Sequence, residues 1–277
     1  MPANFFAPRP DAPPTAILSA LPQEQHGLMA LLQHPRKVHH ASRDFWLGEL
    51  HGQPVVLALS RIGKVAAATT ATALIERFAV QRMVFTGVAG GLQEGVQVGD
   101  VVVATEFLQH DLDVSPLFPR YEVPSYGKAR FDTDTLLTAR LVQAARQALL
   151  HEVTEVSGAA GDGERSAPRN SPRQFAGARV HQGLLASGDR FVSGASESRA
   201  LQALLGAAGH AVLAVEMEGA AVAQVCQDYG VPFAAVRTIS DRADDSAHMD
   251  FQRFVDEVAS HYAHAIIQNL LRSLLKE

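Results

Sequence analysis

The chain has 277 residues, of which 47% are hydrophobic and 19% are charged, a balance typical of a globular protein that buries a sizeable core. Its formal net charge of −5 argues against nucleic acid as a partner, because a nucleic-acid interface needs a basic face. The apolar runs are too short to span a bilayer and Cys226 is the only cysteine, so we expect no membrane partner and a reducing, cytoplasmic compartment.

The predicted elements begin after residues 1–14, a Pro-rich segment that we interpret as a flexible tail and not as a signal peptide. Residues 15–277 are then predicted to form a single domain. In chain order, the patterns predict strand Thr15–Leu21, helix Gln23–Gln33, strands Phe45–Leu50 and Gln53–Ser60, helix Lys64–Phe78, strands Arg82–Thr86 and Val101–Ala104, helix Thr133–Ala148, strands Val180–Ser187 and Val212–Val215, helix Glu218–Gln227, strand Phe233–Ser240 and helix Phe251–Leu275.

Strands alternate with helices, and the central strands are apolar throughout, which is typical of a sheet covered by helices on both faces. We therefore predict an α/β fold, a three-layer sandwich around a central β-sheet. The His51-Gly52 turn predicts a hairpin between the second and third strands, so we expect that sheet to be mixed. Residues 157–177 lack periodicity and are rich in Gly, Ala, Ser, Pro and Arg, which we interpret as a surface insertion and not as a domain boundary.

Two segments, Val215–Ala221 and Arg237–Asp244, limit the range of possible functions more than any other part of the sequence. Glu216 and Glu218 flank Met217 at the start of a small-residue helix. Acids there are favoured by the helix macrodipole, and this alone would explain them. Alternatively, one of these carboxylates accepts hydrogen bonds from the vicinal hydroxyls of a ribose.

Two further acids follow strands. Asp241 comes after Ser240 at the end of an apolar strand, where ligands of α/β sheets bind. Partial desolvation there can make Asp241 a proton donor, although an Asp that caps the following segment has the same pattern. Glu24 follows the first strand and is suited to orient and deprotonate a water, or merely to begin a helix.

The glycines of Thr86–Gly91 either make a tight turn or bring backbone amides close to a ligand. They form neither a dinucleotide fingerprint nor a P-loop. Phe191 can stack on a planar base, or belong to the core. The chain has neither an HExxH motif nor a Cys/His cluster, so we expect neither a metal nor another cofactor.

Taken together and in order, these segments resemble the nucleosidase branch of the purine nucleoside phosphorylase/uridine phosphorylase superfamily, and most closely its bacterial 5′-methylthioadenosine/S-adenosylhomocysteine nucleosidases. The resemblance runs from about Thr15 to the C-terminus. The matching pieces are Ala16–Glu24, Ile62–Ala67, Thr86–Leu92, Val98–Asp100, His110–Asp113, Ser187–Phe191, Val215–Ala221 and Arg237–Ala243.

The resemblance implies a nucleoside phosphorylase-like fold, a homodimer, and hydrolysis of the N-glycosidic bond of an adenine nucleoside. It implies that Glu24 orients the attacking water, that Arg237 lies near that water, and that Asp241 helps to protonate adenine N7. Many members have Ser where this chain has Val88, so a hydroxyl that helps to hold the water or Asp241 is missing. The chemistry passes through an oxocarbenium-like state, in which the leaving base needs a proton and the water needs a base.

The resemblance also implies how the substrate is held. Glu218 would bind the ribose hydroxyls, Met217 would lie against the sugar, Phe191 would stack on adenine and the backbone of Val192 would read its edge. A segment around Leu117 and Phe118 would cover the 5′ substituent of the neighbouring subunit's substrate. The residues implied in substrate binding are Ile62, Ala89, Gly90, Phe191, Val192, Glu216, Met217, Glu218 and Ser240.

Three other functions compete with this one. A phosphorylase on the same fold would need arginines and a Gly-rich loop for phosphate, whereas the first strand here leads into Leu21-Pro22-Gln23-Glu24, whose carboxylate would repel it. A futalosine-type nucleoside hydrolase would use the same residues with a different 5′ pocket. A binding-only module is disfavoured, because Glu24, Glu218 and Asp241 are all present.

Overall fold

The computed structural model describes residues 13–158, 177–243 and 254–275. The strands are β1 (Thr15–Ser19), β2 (Gln33–His40), β3 (Arg43–Leu50), β4 (Gln53–Leu59), β5 (Arg82–Gly91), β6 (Val101–Gln109), β7 (Arg130–Asp132), β8 (Val180–Ser187), β9 (Val212–Glu216) and β10 (Phe233–Asp241). The helices are α1 (Pro22–Leu31), α2 (Lys64–Phe78), α3 (Thr135–Gly158), α4 (Ala195–Ala207), α5 (Gly219–Tyr229) and α6 (Ser260–Leu274), with a π-helical stretch at Val255–Ala259 directly before α6. The predicted tail and insertion lie almost wholly outside the described residues, so both stay predictions.

All of these strands belong to one mixed sheet, which closes on itself at one end. From its edge the sheet runs β2, β3, β4, β1, β5, and β5 then pairs in parallel with β10. The ladder continues from β10 through β6 and β8 to β9, and β9 returns to β5 at Gly90 and Gly91. Because of this closure, the carboxyl ends of β8, β9 and β10 meet the C-terminal half of β5.

The two sides of the central strands are covered by different helices. Leu18 and Phe85 belong to a core cluster that includes residues of α2 and α5. Their neighbours Ile17 and Val84 belong to a second cluster, with residues of α1, α3 and α6. Strands buried on both sides carry apolar residues on both faces, which is why their sequences do not alternate between apolar and polar residues. The predicted α/β fold with a mixed sheet is confirmed.

The structure corrects several predicted boundaries. β5 runs through the glycines to Gly91, whereas the prediction ended it at Thr86, because those glycines pair with β9 and β10. The first helix ends at Leu31, and the next residues form the unpredicted β2, whose side chains are almost all exposed. The third helix begins at Thr135 and continues to Gly158, ten residues beyond the predicted end. Helix α4 and the short β7 were also not predicted.

Cys226 is buried at 2% exposure, and its Sγ lies 3.9 Å from Sδ of Met83. Cys226 is therefore a small apolar residue of the core. Across residues 13–158, 177–243 and 254–275, no helix combines the length and the apolar character that a membrane span requires.

Candidate active site

One cavity lies at the strand ends. Leu117 and Phe118 do not line it, but it brings together the twelve residues implied in catalysis or substrate binding. Those residues are Glu24, Ile62, Ala89, Gly90, Phe191, Val192, Glu216, Met217, Glu218, Arg237, Ser240 and Asp241. The cavity wall also contains Val88, where many similar proteins have Ser, and five residues to which the sequence assigned no role: Ala20, Leu21, Gly87, Arg190 and Val215. They lie in the segments that carry the family resemblance, close in the chain to residues with an implied role, and that proximity is the only signal the sequence offers for them.

Glu24 lies in the first turn of α1, and its carboxylate turns back to the end of β1. Oε2 accepts hydrogen bonds from the backbone N–H groups of Ala20 at 2.8 Å and Leu21 at 2.9 Å, and Oε1 accepts one from Val88 at 3.2 Å. A Cβ at Gly87 would lie 3.0 Å from Oε1, so the glycine makes room for the acid. Burial raises the pKa of Glu24, while these amides and the charge of Arg237 act in the opposite direction.

Asp241 is the last residue of β10 and pairs with Gly90 of β5, three residues beyond Gly87. Its Oδ2 accepts a hydrogen bond from the Ser240 hydroxyl at 2.7 Å, and its Oδ1 accepts one from the Ala243 N–H at 2.7 Å. A Cβ at Gly90 would lie 2.9 Å from Oδ1. Two glycines of one strand therefore seat one carboxylate each, and Val88 and Ala89 lie between them.

Glu216 ends β9, and both of its carboxylate oxygens are engaged within the protein. Oε2 accepts hydrogen bonds from Nη2 of Arg237 at 2.7 Å and from the N–H groups of Gly219 at 2.8 Å and Glu218 at 3.2 Å. Oε1 accepts hydrogen bonds from the Ser187 hydroxyl and, at 2.9 Å, from the Gly219 N–H. This geometry favours a positioning role for Glu216 over direct substrate contact.

Ser187 had no role in the sequence analysis. It lies 29 residues from Glu216 in the chain, and the two meet only because β8 and β9 are paired. No local pattern indicates such a contact.

Arg237 is held from several sides within β10 and is 1% exposed. Besides its pair with Glu216, its Nη1 donates to the carbonyl of Phe85 at 3.2 Å. Its guanidinium lies 4.1 Å from the ring centroid of Phe85, a cation–π contact in a desolvated setting. The guanidinium therefore has one fixed position at the floor of the cavity.

Glu218 immediately precedes α5 and is 6% exposed. Its Oε1 accepts a hydrogen bond from the Gly63 N–H at 2.8 Å. Burial, followed by the nearby charge of Glu216, raises the pKa of Glu218 to about 8. Burial and the Glu216 charge thus both favour the protonated form of this carboxyl.

The mouth of the cavity is apolar. Ile62 is 59% exposed and Phe191 is 44% exposed, so Phe191 is a rim residue and not a core residue. Val192 beside it is buried. Within the described ranges, no group of three or more His, Cys, Asp or Glu side chains is arranged to hold a metal ion.

Comparison with known proteins shows the family of this chain. The model of the phosphorylase superfamily matches residues 14–272. The chain belongs to the phosphorylase superfamily. Among relatives in this superfamily, the 5′-methylthioadenosine/S-adenosylhomocysteine nucleosidase of Actinobacillus succinogenes is 34% identical over 252 residues, which cover 91% of this chain and 95% of the relative.

Solved structures of superfamily members are similar over nearly the whole chain. The Neisseria meningitidis 5′-methylthioadenosine/S-adenosylhomocysteine nucleosidase in complex with methylthio-immucillin-A has a TM-score of 0.76 and 34% identity, covering 94% of this chain and 98% of that one. The native futalosine hydrolase of Helicobacter pylori has a TM-score of 0.77 and 28% identity, covering 95% and 98%.

Proposed function

We propose that this chain is an N-glycosyl hydrolase that cleaves 5′-methylthioadenosine and S-adenosylhomocysteine, releasing adenine and the thioribose. The observation that carries this proposal is the position of the Glu24 carboxylate. It occupies the backbone N–H groups of Ala20, Leu21 and Val88, which would otherwise be donors for an anion. Phosphate would meet a carboxylate there, so water is the acceptor that this site suits.

Glu24, beside Gly87, and Asp241, beside Gly90, would have separate catalytic roles. Three residue steps separate Gly87 from Gly90, which corresponds to roughly 10 Å along a strand. That span leaves room for a ribosyl group and a water between Glu24 and Asp241. Glu24, ionised, would orient and deprotonate the water, while Asp241 would donate a proton to adenine N7 as the bond to C1′ breaks.

Arg237 supports the same assignment electrostatically. Burial raises the pKa of Glu24, and the positive charge of Arg237 opposes that rise and so favours the ionised base. Because Glu216 and Phe85 fix the guanidinium, this charge is preorganised before substrate arrives.

The remaining cavity residues suit an adenine nucleoside. The Glu218 carboxyl would bind the vicinal ribose hydroxyls, with Met217 against the sugar. Phe191 at the rim would stack on adenine, and the backbone of Val192 would read the edge of the base. The half-exposed Ile62 leaves the cavity open to solvent on its side, which suits a variable 5′ substituent.

A futalosine-type nucleoside is the second candidate substrate. The similarity to the Helicobacter pylori futalosine hydrolase favours it, because the same acids would serve both reactions. The two candidates differ in the 5′ substituent, whereas the acids described above act at C1′ and the base.

The compartment, the layers of the fold and the oligomeric state are part of the same proposal. We place the enzyme in the cytoplasm, in methionine salvage, and describe its fold as three layers, since helices cover two sides of the sheet. We also propose a homodimer, which would cover Leu117, 84% exposed, and Phe118, 38% exposed.

The test is adenine release from 5′-methylthioadenosine by the purified protein, with and without phosphate, with identification of the sugar product. We expect free methylthioribose at a rate that phosphate does not change. Methylthioribose 1-phosphate formed only with phosphate would make the protein a phosphorylase. Release of the purine base from futalosine-type nucleosides alone would make the second candidate correct.

A further inference from the structure

Lys64, Asp111 and Asp189 are joined to one another by hydrogen bonds, and Lys64 and Asp189 lie close in the chain to residues that line the cavity. We name these three residues the latch. Nζ of Lys64 donates to Oδ1 of Asp111, and these side chains are only 16% and 24% exposed. The backbone N–H of Asp189 donates to Oδ2 of Asp111 at 2.8 Å, and Oδ1 of Asp189 accepts the backbone N–H of Lys64 at 2.7 Å. None of the three lines the cavity, and the proposed chemistry does not use them.

The latch joins segments that do carry the cavity. Lys64 begins α2, and the residue before it, Gly63, donates its N–H to Glu218. Gly63 has a φ of +94°, and a Cβ there would lie 3.1 Å from Oδ1 of Asp189, so this turn needs glycine against the latch. Asp189 lies two residues before Phe191, and Asp111 lies in the turn after β6.

The charges within the latch are matched. Burial by itself would raise the pKa of Asp111, but hydrogen bonds from Lys64 and from the Asp189 N–H outweigh it and hold that pKa below its ordinary value. Asp111 is thus an ionised, partly buried acceptor with a cation on one oxygen and an amide on the other. Such a pair tolerates the loss of one partner poorly.

We propose that the latch is a positioning device that fixes the Phe191 loop against the Ile62–Gly63 turn, so that the base and ribose subsites are preorganised for substrate. This inference rests on the proposed function. The acids Glu24 and Asp241 are held by other partners, so loss of the latch affects substrate capture more than the chemical step. The three residues are therefore positioning residues and not catalytic ones.

The kinetic test compares Lys64→Met, Asp111→Asn and the double variant in 5′-methylthioadenosine hydrolysis. We expect KM to rise about three- to thirtyfold with kcat within about threefold, and the double variant to match the larger single effect, because both changes remove one interaction. Lys64→Arg keeps the positive charge, so its KM should stay close to the wild-type value. The matched control is Asp44→Asn, which removes the negative charge of an exposed partner of Lys37 and His39 and leaves KM unchanged. An unchanged KM in the latch variants, or additive effects, would overturn the proposal.

Amide hydrogen exchange tests the latch without any substrate. In the unliganded latch variants, exchange accelerates in peptides covering residues 61–65 and 187–192, while Asp44→Asn leaves both at the wild-type rate. Wild-type exchange there in both Lys64→Met and Asp111→Asn would refute the latch. If the wild-type protein released no adenine from any nucleoside, the proposed function would fail while this measurement still decided the latch.

Discussion

Nη2 of Arg237 lies 2.7 Å from Oε2 of Glu216, and the two side chains are 1% and 2% exposed. Two opposite charges are thus held out of water at the floor of the cavity. Removing one partner of such a pair leaves the other charge uncompensated, which is the expensive case for a buried ion pair. The pair also links the end of β9 to β10, so site geometry and fold stability depend on the same contact.

Glu216→Gln should therefore destabilise the protein by about 3–5 kcal/mol, because the Arg237 guanidinium stays buried without its counter-charge. Urea unfolding measures this change. Glu106→Gln is the control, since Glu106 pairs with Arg130 at 3.3 Å with 31% and 35% exposure. That partly exposed pair should contribute less than about 1 kcal/mol. Equal losses in the two variants would show that burial of the Arg237 pair adds nothing.

Asp241→Asn should lower adenine release from 5′-methylthioadenosine by about 100- to 10,000-fold, because the amide cannot supply the proton that the leaving base needs. Substrate binding, measured by calorimetry, should persist. Asp228→Asn is the matched control, because Asp228 is exposed and accepts a hydrogen bond from the Tyr126 hydroxyl at 2.8 Å, away from the cavity. Turnover close to the wild-type rate in Asp241→Asn would remove Asp241 from the mechanism.

Glu218→Gln should stabilise the unliganded protein, and more at pH 8 than at pH 5. The folded-state pKa of Glu218, about 8, lies above the unfolded value of 4.5, so the native state holds a proton that the unfolded chain releases. Between these two values, each unit rise in pH removes at most about 1.4 kcal/mol of stability from the wild type. Gln carries no ionisable proton and escapes this loss. Urea unfolding at the two pH values measures it, with the exposed Glu94→Gln as control. A gain that does not grow with pH would contradict the raised pKa.

Two fully buried serines should respond in opposite ways to replacement by alanine. The Ser187 hydroxyl donates to Glu216 and accepts the Ala220 N–H at 2.7 Å, so Ser187→Ala removes one donor from Glu216, leaves the buried Ala220 N–H without its acceptor and costs about 1–3 kcal/mol. The Ser19 hydroxyl has no hydrogen-bond partner among the described residues, so Ser19→Ala should be neutral or stabilising. Unfolding free energies in urea separate the two, and a similar cost at both positions would show that the Ser187 contacts carry no weight.

The central elements could be predicted because their physical cause is local. β1, β5 and β10 are largely buried, and each contains a short apolar run, such as Ala16–Leu18 in β1 and Phe233–Val236 in β10, that is visible in the sequence. β2 was not predicted, because its side chains face solvent and it therefore has no apolar pattern. Only its pairing with β3 defines it as a strand. The glycines of Thr86–Gly91 predict either a tight turn or a close approach of the backbone to a ligand, whereas tertiary pairing with β9 and β10 makes this segment part of a strand.

The sequence by itself determined which side chains carry charge or rings and in which order they follow the strands, and a ligand site at strand ends follows from that order. It indicated Glu24, Glu218 and Asp241 as separate acids. Only the tertiary structure decided what each acid contacts, since Glu24 meets Val88 across 64 positions of the chain and Glu218 meets Gly63 across 155. Hydrogen bonds of such separation depend on how the sheet closes and how the helices pack on it, and no local pattern encodes them.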